Sequence, residues 1–289
     1  MFEKMPEKFD IIAVSTGHDT SLLEKLLNSV SSAKEELRIG VILVVQGEIW
    51  PTDERYPLVL KVIHSPERIG LSKARNLGLK FLFEQDWQIK HIIFPDDDST
   101  FDSHYFKFYQ NLCVGNQAYL AKIKNEDNLN NYRAYPAKKL RGTLNLLPYV
   151  ASVSLIVPYA FVKEVGFFDE NLGAGAAFGS SEDLDYFLRI LPFGDFIFHP
   201  EIYNLHPSRF GKYNQLSTEK VKNRFQTYTD GYLYVFFKHG LEDQLGFFAE
   251  RALGGFLISA LKLQFTLAQQ YLWLYRYRKK RIKALRKNI

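Results

Sequence analysis

Cysteine is almost absent from this 289-residue chain: Cys113 stands alone and can close no internal disulfide. Long apolar runs are absent too. The nearest approach, ALGGFLISAL at 252–261, is stopped by Lys262, well short of the roughly 18 apolar residues that a spanning helix needs. The opening MFEKMPEKFD is charged and carries no apolar stretch of leader type. Internal repeats and low-complexity tracts are missing as well. These absences set the expectation of a reducing, cytoplasmic protein. Acidic residues are missing from one region only: none follows Glu250, whereas residues 251–289 hold ten Lys and Arg. The remaining 250 residues carry 27 basic against 32 acidic side chains, so the overall +5 is a property of the tail. A nucleic-acid footprint across the main body is therefore not supported, and no nucleic-acid partner is expected.

What is present is ample core material, with 46% hydrophobic and 15% aromatic residues. Short apolar runs alternate with helical patterns: FDIIAV then SLLEKLLNSVSSA, IGVILVV then a turn, LVLKVI then LSKARNLGLKFLF, HIIF then FDSHYFKFYQNL. That alternation predicts an α/β fold with a mostly parallel sheet flanked by helices. Residues 116–150 have poor periodicity and read as a long loop. VASVSLIVP resumes a strand, SSEDLDYFLRIL begins a helix, and FIFHPEIYNLH reads as a strand pair. The division expected is a catalytic domain over 1–215 and a helical, basic region over 216–289.

The densest chemistry is HIIFPDDDST at 91–100, where a buried-type strand runs into three carboxylates. Three like charges repel, so a cation is expected beside them. Ligands in open α/β sheets sit at the carboxyl ends of strands, where PDDDST falls. Three readings of Asp96, Asp97 and Asp98 stand side by side. One is a solvated turn capping the next helix. Another is the DxDx(T/V) pattern of haloacid-dehalogenase-like phosphatases, matched by Asp96, Asp98 and Thr100. The third is a DxD site for a divalent cation that binds a diphosphate. On an extended chain Asp97 points away from its two neighbours.

Two further segments weigh the choice. RIGLSKARNLGL at 68–79 presents Arg75 and Asn76 early in a helix, and GFFDENLGAGAAFGSSEDLDYFLRI at 166–190 joins a glycine-rich loop to Glu182, Asp183, Asp185 and Arg189. With VST at 14–16, these motifs resemble, in order, those of the family 2 glycosyltransferases with the Rossmann-like GT-A fold, over about residues 9–207. The resemblance implies a metal-dependent inverting transfer of sugar from a nucleoside-diphosphate donor, UDP-linked, to a glycan or lipid-linked acceptor in surface polysaccharide or glycolipid synthesis. It implies that Asp96, Asp98 and His206 hold Mn2+ or Mg2+ and that Thr16, Gln46, Arg75, Asn76 and Asp96 face the donor. Asp183 is implied as the general base and Glu182 as the holder of acceptor hydroxyls, with GAGAAFG as a mobile lip. One departure is Gln46 in VVQG, where many members carry an aspartate that holds the nucleobase. Ser180 with Asp183 also fits a helix-capping box. A catalytically silent binding module at the membrane remains the alternative from another class.

The tail predicts one helix with a polar stripe through Arg251, Gly255, Ser259, Lys262, Thr266, Gln269 and Arg276, opposite Leu253, Phe256, Ala260, Leu263, Leu267, Tyr271 and Leu274. Its apolar face needs cover: the protein itself, a second copy, or an anionic membrane surface met by Tyr271, Trp273, Tyr275, Tyr277 and the basic residues at 276–287. The last of these gives the expected location, peripheral on the inner face of the cell membrane.

Overall fold

The computed structural model describes residues 7–31, 37–47, 56–112, 115–208 and 216–285; Cys113 lies outside them. The chain gathers into two compact units, Met1–Glu170 with Glu182–Arg209, and Asn171–Ser181 with Phe210–Ile289.

The first unit is built on one eight-stranded sheet in the order β3-β2-β1-β4-β7-β5-β8-β6. The strands are β1 Lys8–Gly17, β2 Ile39–Gln46, β3 Val59–Ser65, β4 Gln88–Ile93, β5 Ala118–Asn125, β6 Leu140–Gly142, β7 Leu155–Pro158 and β8 Phe196–His206. β3, β2, β1 and β4 pair in parallel, as the strand-helix alternation predicts. The other half differs. β7 runs antiparallel between β4 and β5, β5 and β8 are parallel, and β6 is antiparallel to β8. The sheet is therefore mixed rather than mostly parallel. β6 and β7 are joined through short 3-10 turns, Leu144–Tyr149 and Ser152–Ser154, and not through a crossover helix.

Two sequence expectations change here. Residues 116–150 hold β5, buried over its first four residues, and the edge strand β6; the polar NEDNLNN stretch masked the apolar AYLA before it. FIFHPEIYNLH is one strand, whose register against β5 jumps from Ala121↔His199 to Lys122↔Tyr203. Pro200 has no N–H for the ladder, and the irregularity sits where it falls.

Helices α1 Thr20–Ser31 and α3 Ser103–Leu112 cover one face, packing Leu23, Leu26, Leu27, Tyr105 and Phe106 on Ile11, Ala13, Val41 and Leu43. α1 starts where Asp19 Oδ1 accepts from the Ser21 and Leu22 amides, an N-cap that assigns this loop aspartate a structural task. α2 Leu71–Phe83 lies on the other face, and a Cβ at Gly78 would come within 2.7 Å of Val14 Cγ1. That glycine lets α2 approach β1 closely enough to bring Arg75 over the strand ends. α4 Tyr159–Val165 and α5 Glu182–Ile190 complete the unit.

The second unit is helical: α6 Thr218–Lys238, α7 Leu245–Leu261 and α8 Phe265–Leu285. The single helix expected from 251 onward is thus two helices, with a turn at Lys262, Leu263 and Gln264 that no Gly or Pro announces. Among the described residues no helix is long and apolar enough to cross a membrane.

Candidate active site

β1 and β4 lie side by side, and the short ladder between them is followed, past the end of β4, by a bridge between Thr16 and Asp96. Ser15 Oγ donates to the Pro95 carbonyl at 3.0 Å, holding the turn into the acidic triplet against β1. The chain then crosses the strand ends. Thr100 and Leu205 exchange amide-carbonyl bonds at 2.9 Å each way, carrying the loop to the carboxyl end of β8. The next residue on β8 is His206. It is this pairing, between residues a hundred positions apart, that brings imidazole and aspartates together.

Asp96, Asp98 and His206 each place one ligand atom within 4.8 Å of the others. His206 Nε2 stands 3.1 Å from Asp98 Oδ1 and 3.9 Å from Asp96 Oδ2. Its Nδ1 faces the Pro207 carbonyl at 3.1 Å, so both ring nitrogens stand beside acceptors, and loss of the Nε2 proton turns that lone pair toward the carboxylates. Two carboxylates and one imidazole are a suitable donor set for a divalent cation of the Mn2+ or Mg2+ kind. Burial opposes charge on His206, but the Asp98 hydrogen bond and the Asp98 and Asp96 charges outweigh it and hold the imidazole above its ordinary value. The carboxylates favour a cation in their midst, as the triplet implies.

Asp97 sits in a turn rather than on an extended chain, the Ser99 amide donating to the Asp96 carbonyl at 3.1 Å, and its carboxyl lies outside the cluster of Asp96, Asp98 and His206. It packs on Gly17, where an added Cβ would lie 2.7 Å from both Asp97 Cβ and Oδ2. Burial, then the Asp98 and Asp96 charges, push its carboxyl up to about 6.

Arg75 is fully buried and bridges two carboxylates. Nη2 lies 2.7 Å from Asp96 Oδ1, and Nη1 lies 3.3 Å from Glu182 Oε1. Ser152 Oγ donates to the same Asp96 oxygen at 3.2 Å, so one side of Asp96 is occupied and the other faces His206. The guanidinium carbon sits 5.6 Å from the Phe168 ring, and Nε has no partner. The family resemblance implies a place for Arg75 beside the donor; in the fold it stands between the acidic triplet and the ED pair. Nothing in the sequence singles out Ser152, which sits in an apolar run with no motif around it.

Glu182 and Asp183 open α5. Burial raises both carboxyls, with Asp183 adding to the effect on Glu182 and Arg75 opposing it on each. Asp183 Oδ1 accepts from the Leu184 amide at 2.7 Å. The capping-box partner Ser180 turns elsewhere, toward the Thr227 and Tyr228 carbonyls of its own unit. Ser181 has φ of 68°, a left-handed conformation immediately before the pair. The glycine-rich segment is seated on α6 within the second unit, with Phe178 stacked on Tyr234 at 4.4 Å.

Two residues expected to face the donor are hydrogen-bonded within the protein. Asn76 Nδ2 donates to the Phe168 carbonyl and to Glu170 Oε1, each at 3.0 Å, and Oδ1 accepts from the Phe168 amide. Its amide fastens the GFFDE segment. Gln46 donates to Thr16 Oγ1 and accepts from the Ile69 amide, both at 2.9 Å, tying the ends of β1 and β2 to the approach to α2.

No protein-family model matches the sequence, and no curated protein matches it. Solved structures do match in fold. The crystal structure of S. aureus TarS aligns with a TM-score of 0.53 at 17% identity, covering 76% of this chain and 39% of that one. A structure of TarS residues 1–349 aligns at 0.52 and 18%, covering 94% and 92%. The same TarS segment in complex with UDP aligns at 0.51 and 18%, covering 77% and 65%. The match thus spans well under half of the full TarS chain, and what it establishes is a shared fold.

Proposed function

We propose that the chain is an inverting sugar transferase of the family 2, GT-A type, moving sugar from a nucleoside-diphosphate donor to an acceptor hydroxyl of a glycan or lipid-linked glycan. The observation that carries this reading is the convergence of Asp96, Asp98 and His206 at the strand ends, with Arg75 linking Asp96 to the ED pair. The motif order in the sequence and the fold shared with TarS support it independently, and the UDP in one TarS structure supports uracil as the donor base.

In this reading Asp96, Asp98 and His206 hold Mn2+ or Mg2+, whose charge would stabilise the diphosphate as it leaves. Thr16 and Gln46 border the donor from the ends of β1 and β2. Arg75 keeps the Asp96 carboxylate turned toward His206 and neutralises charge between the two acidic groups. Asp183 takes the acceptor hydroxyl proton; the hydroxyl oxygen forms the new bond to the anomeric carbon while the bond from that carbon to the β-phosphate oxygen breaks. Burial raises Asp183, which makes it a stronger base than a solvated carboxylate at a helix start. Glu182 positions acceptor hydroxyls. A phosphatase nucleophile at Asp96 is less well supported, because Arg75 and Ser152 already occupy one of its oxygens.

The test is thermal-shift titration with UDP, GDP, dTDP and CMP, each with and without Mn2+. UDP should stabilise the protein, and more strongly with metal. Absence of any metal-dependent nucleotide shift would overturn the reading.

A further inference from the structure

We propose that the tip of the α7–α8 hairpin, residues 257–265, inserts into the surface of an anionic lipid bilayer. Leu257, Ile258, Leu261, Leu263 and Phe265 crowd into nine residues and are 53% to 84% exposed. The inner side of the hairpin is lined by small residues instead. Ala252, Ser259 and Ala268 are buried, and a Cβ at Gly255 would meet the Tyr271 ring at 2.8 Å. Thus Gly255 and Ser259 of the stripe that looks polar in sequence face inward and let the helices approach, leaving the bulky apolar side chains outside. Beyond Phe265 the aromatic residues of α8 are less exposed: Tyr271, Trp273 and Tyr275 are half-buried against Val221, Phe225 and Leu274.

The turn itself is suited to a low-dielectric medium. Gln264 N donates to Ser259 O at 2.9 Å, Leu263 N to Ala260 O at 3.0 Å and Lys262 N to Ile258 O at 3.1 Å. This is a Schellman arrangement, and it satisfies internally the amides of Lys262, Leu263 and Gln264. Its left-handed position, where glycine is usual, holds Leu263 at φ of 57°. A large apolar side chain is thus kept exposed in a conformation that disfavours it.

Charge selects the partner. Residues 251–289 contain no acid, so two copies meeting through this region would repel, while an anionic surface attracts it. Lys262 at the tip and Arg276, Lys279, Lys280 and Lys283 on α8 are exposed. Arg276 is eleven residues beyond Phe265, about 16 Å along a helix at 1.5 Å per residue. With the tip about 5–10 Å into the headgroup-acyl boundary, Arg276 reaches the level of the outer headgroups. This inference goes beyond the transferase reading and stands whether or not sugar is transferred.

Flotation of the full chain with vesicles tests it. Wild type should float with vesicles containing phosphatidylglycerol and much less with phosphatidylcholine alone. The triple variant Leu261→Ser, Leu263→Asn, Phe265→Ser should lose at least about tenfold in partitioning with an unchanged far-UV spectrum and melting temperature. As a positive reporter, Phe265→Trp should show blue-shifted emission and quenching by brominated lipid. Wild type that stays unbound, a folded triple variant that floats equally, or a Phe265→Trp reporter that is not quenched overturns the proposal. So does a wild-type oligomer that the triple variant dissociates without vesicle binding, which would make the tip a protein interface.

Discussion

At the scale of single residues the three aspartates separate by direction. Asp98→Asn should abolish Mn2+-dependent stabilisation by UDP while leaving the apo melting temperature near wild type. Asp97→Asn should be mild, because a carboxyl held up to about 6 and packed on Gly17 is replaced by an isosteric neutral group. Thermal shift on the two variants in parallel checks both. Arg75 is the costlier position: Arg75→Met leaves Asp96 and Glu182 without their buried counter-ion and should lower unfolding free energy by about 3–5 kcal/mol in urea titration. His91 offers a pH test away from the site. It is buried on β4 beside Tyr109 Oη and the Gln117 carbonyl, and burial pushes it down to about 4. The neutral form is therefore favoured in the fold, while the unfolded chain takes up a proton near 6.5. Its contribution is complete above about 6.5 and is lost as pH falls toward 4, at most on the order of 3 kcal/mol. Urea midpoints should drop over that window in wild type and less steeply in His91→Gln.

At the scale of elements, the GFFDE segment is held by one side chain. Asn76→Ala removes three hydrogen bonds to Phe168 and Glu170. It should cost about 1–3 kcal/mol and reduce turnover by loosening the approach to α5, with the Mn2+-dependent UDP shift nearly retained. A loss of that shift equal to the loss of turnover would instead place Asn76 at the donor. On α5, Asp183→Asn should lower turnover by about 10² to 10⁴ with UDP binding nearly unchanged. If only about 1 kcal/mol of stability is lost and turnover persists, the carboxylate serves the helix start alone.

At the scale of the whole molecule, charge is partitioned along the chain. The first 250 residues carry more acid than base, and the remainder carries base only. Association of the full chain with anionic vesicles should therefore weaken as salt shortens the Debye length from about 30 Å at 0.01 M to about 8 Å at 0.15 M. It should not vanish, because transfer of the exposed tip side chains does not depend on ionic strength. Flotation across a salt series reads out both parts.

The sequence alone was enough for the elements whose signals are local. Period-two and period-3.6 patterns placed β1 to β4 and α1 to α3, and the strand-end location of PDDDST followed from the alternation of those elements. His206 and the ED pair could be named from motif order, but not their spatial relation to the triplet. That relation depends on Thr100 pairing with Leu205 and on Arg75 reaching two carboxylates 21 and 107 positions away, contacts between segments that carry no local signature. β5 was hidden by the polar stretch that follows its apolar start, and β7 was legible as a strand but not as an antiparallel one, since strand direction is set by which neighbour offers a free edge. The C-terminal hairpin shows the limit most plainly. Periodicity identified a polar stripe but not which side faces inward, because a helix-helix contact is decided by how closely two backbones approach, and there glycine and serine fit where leucine does not.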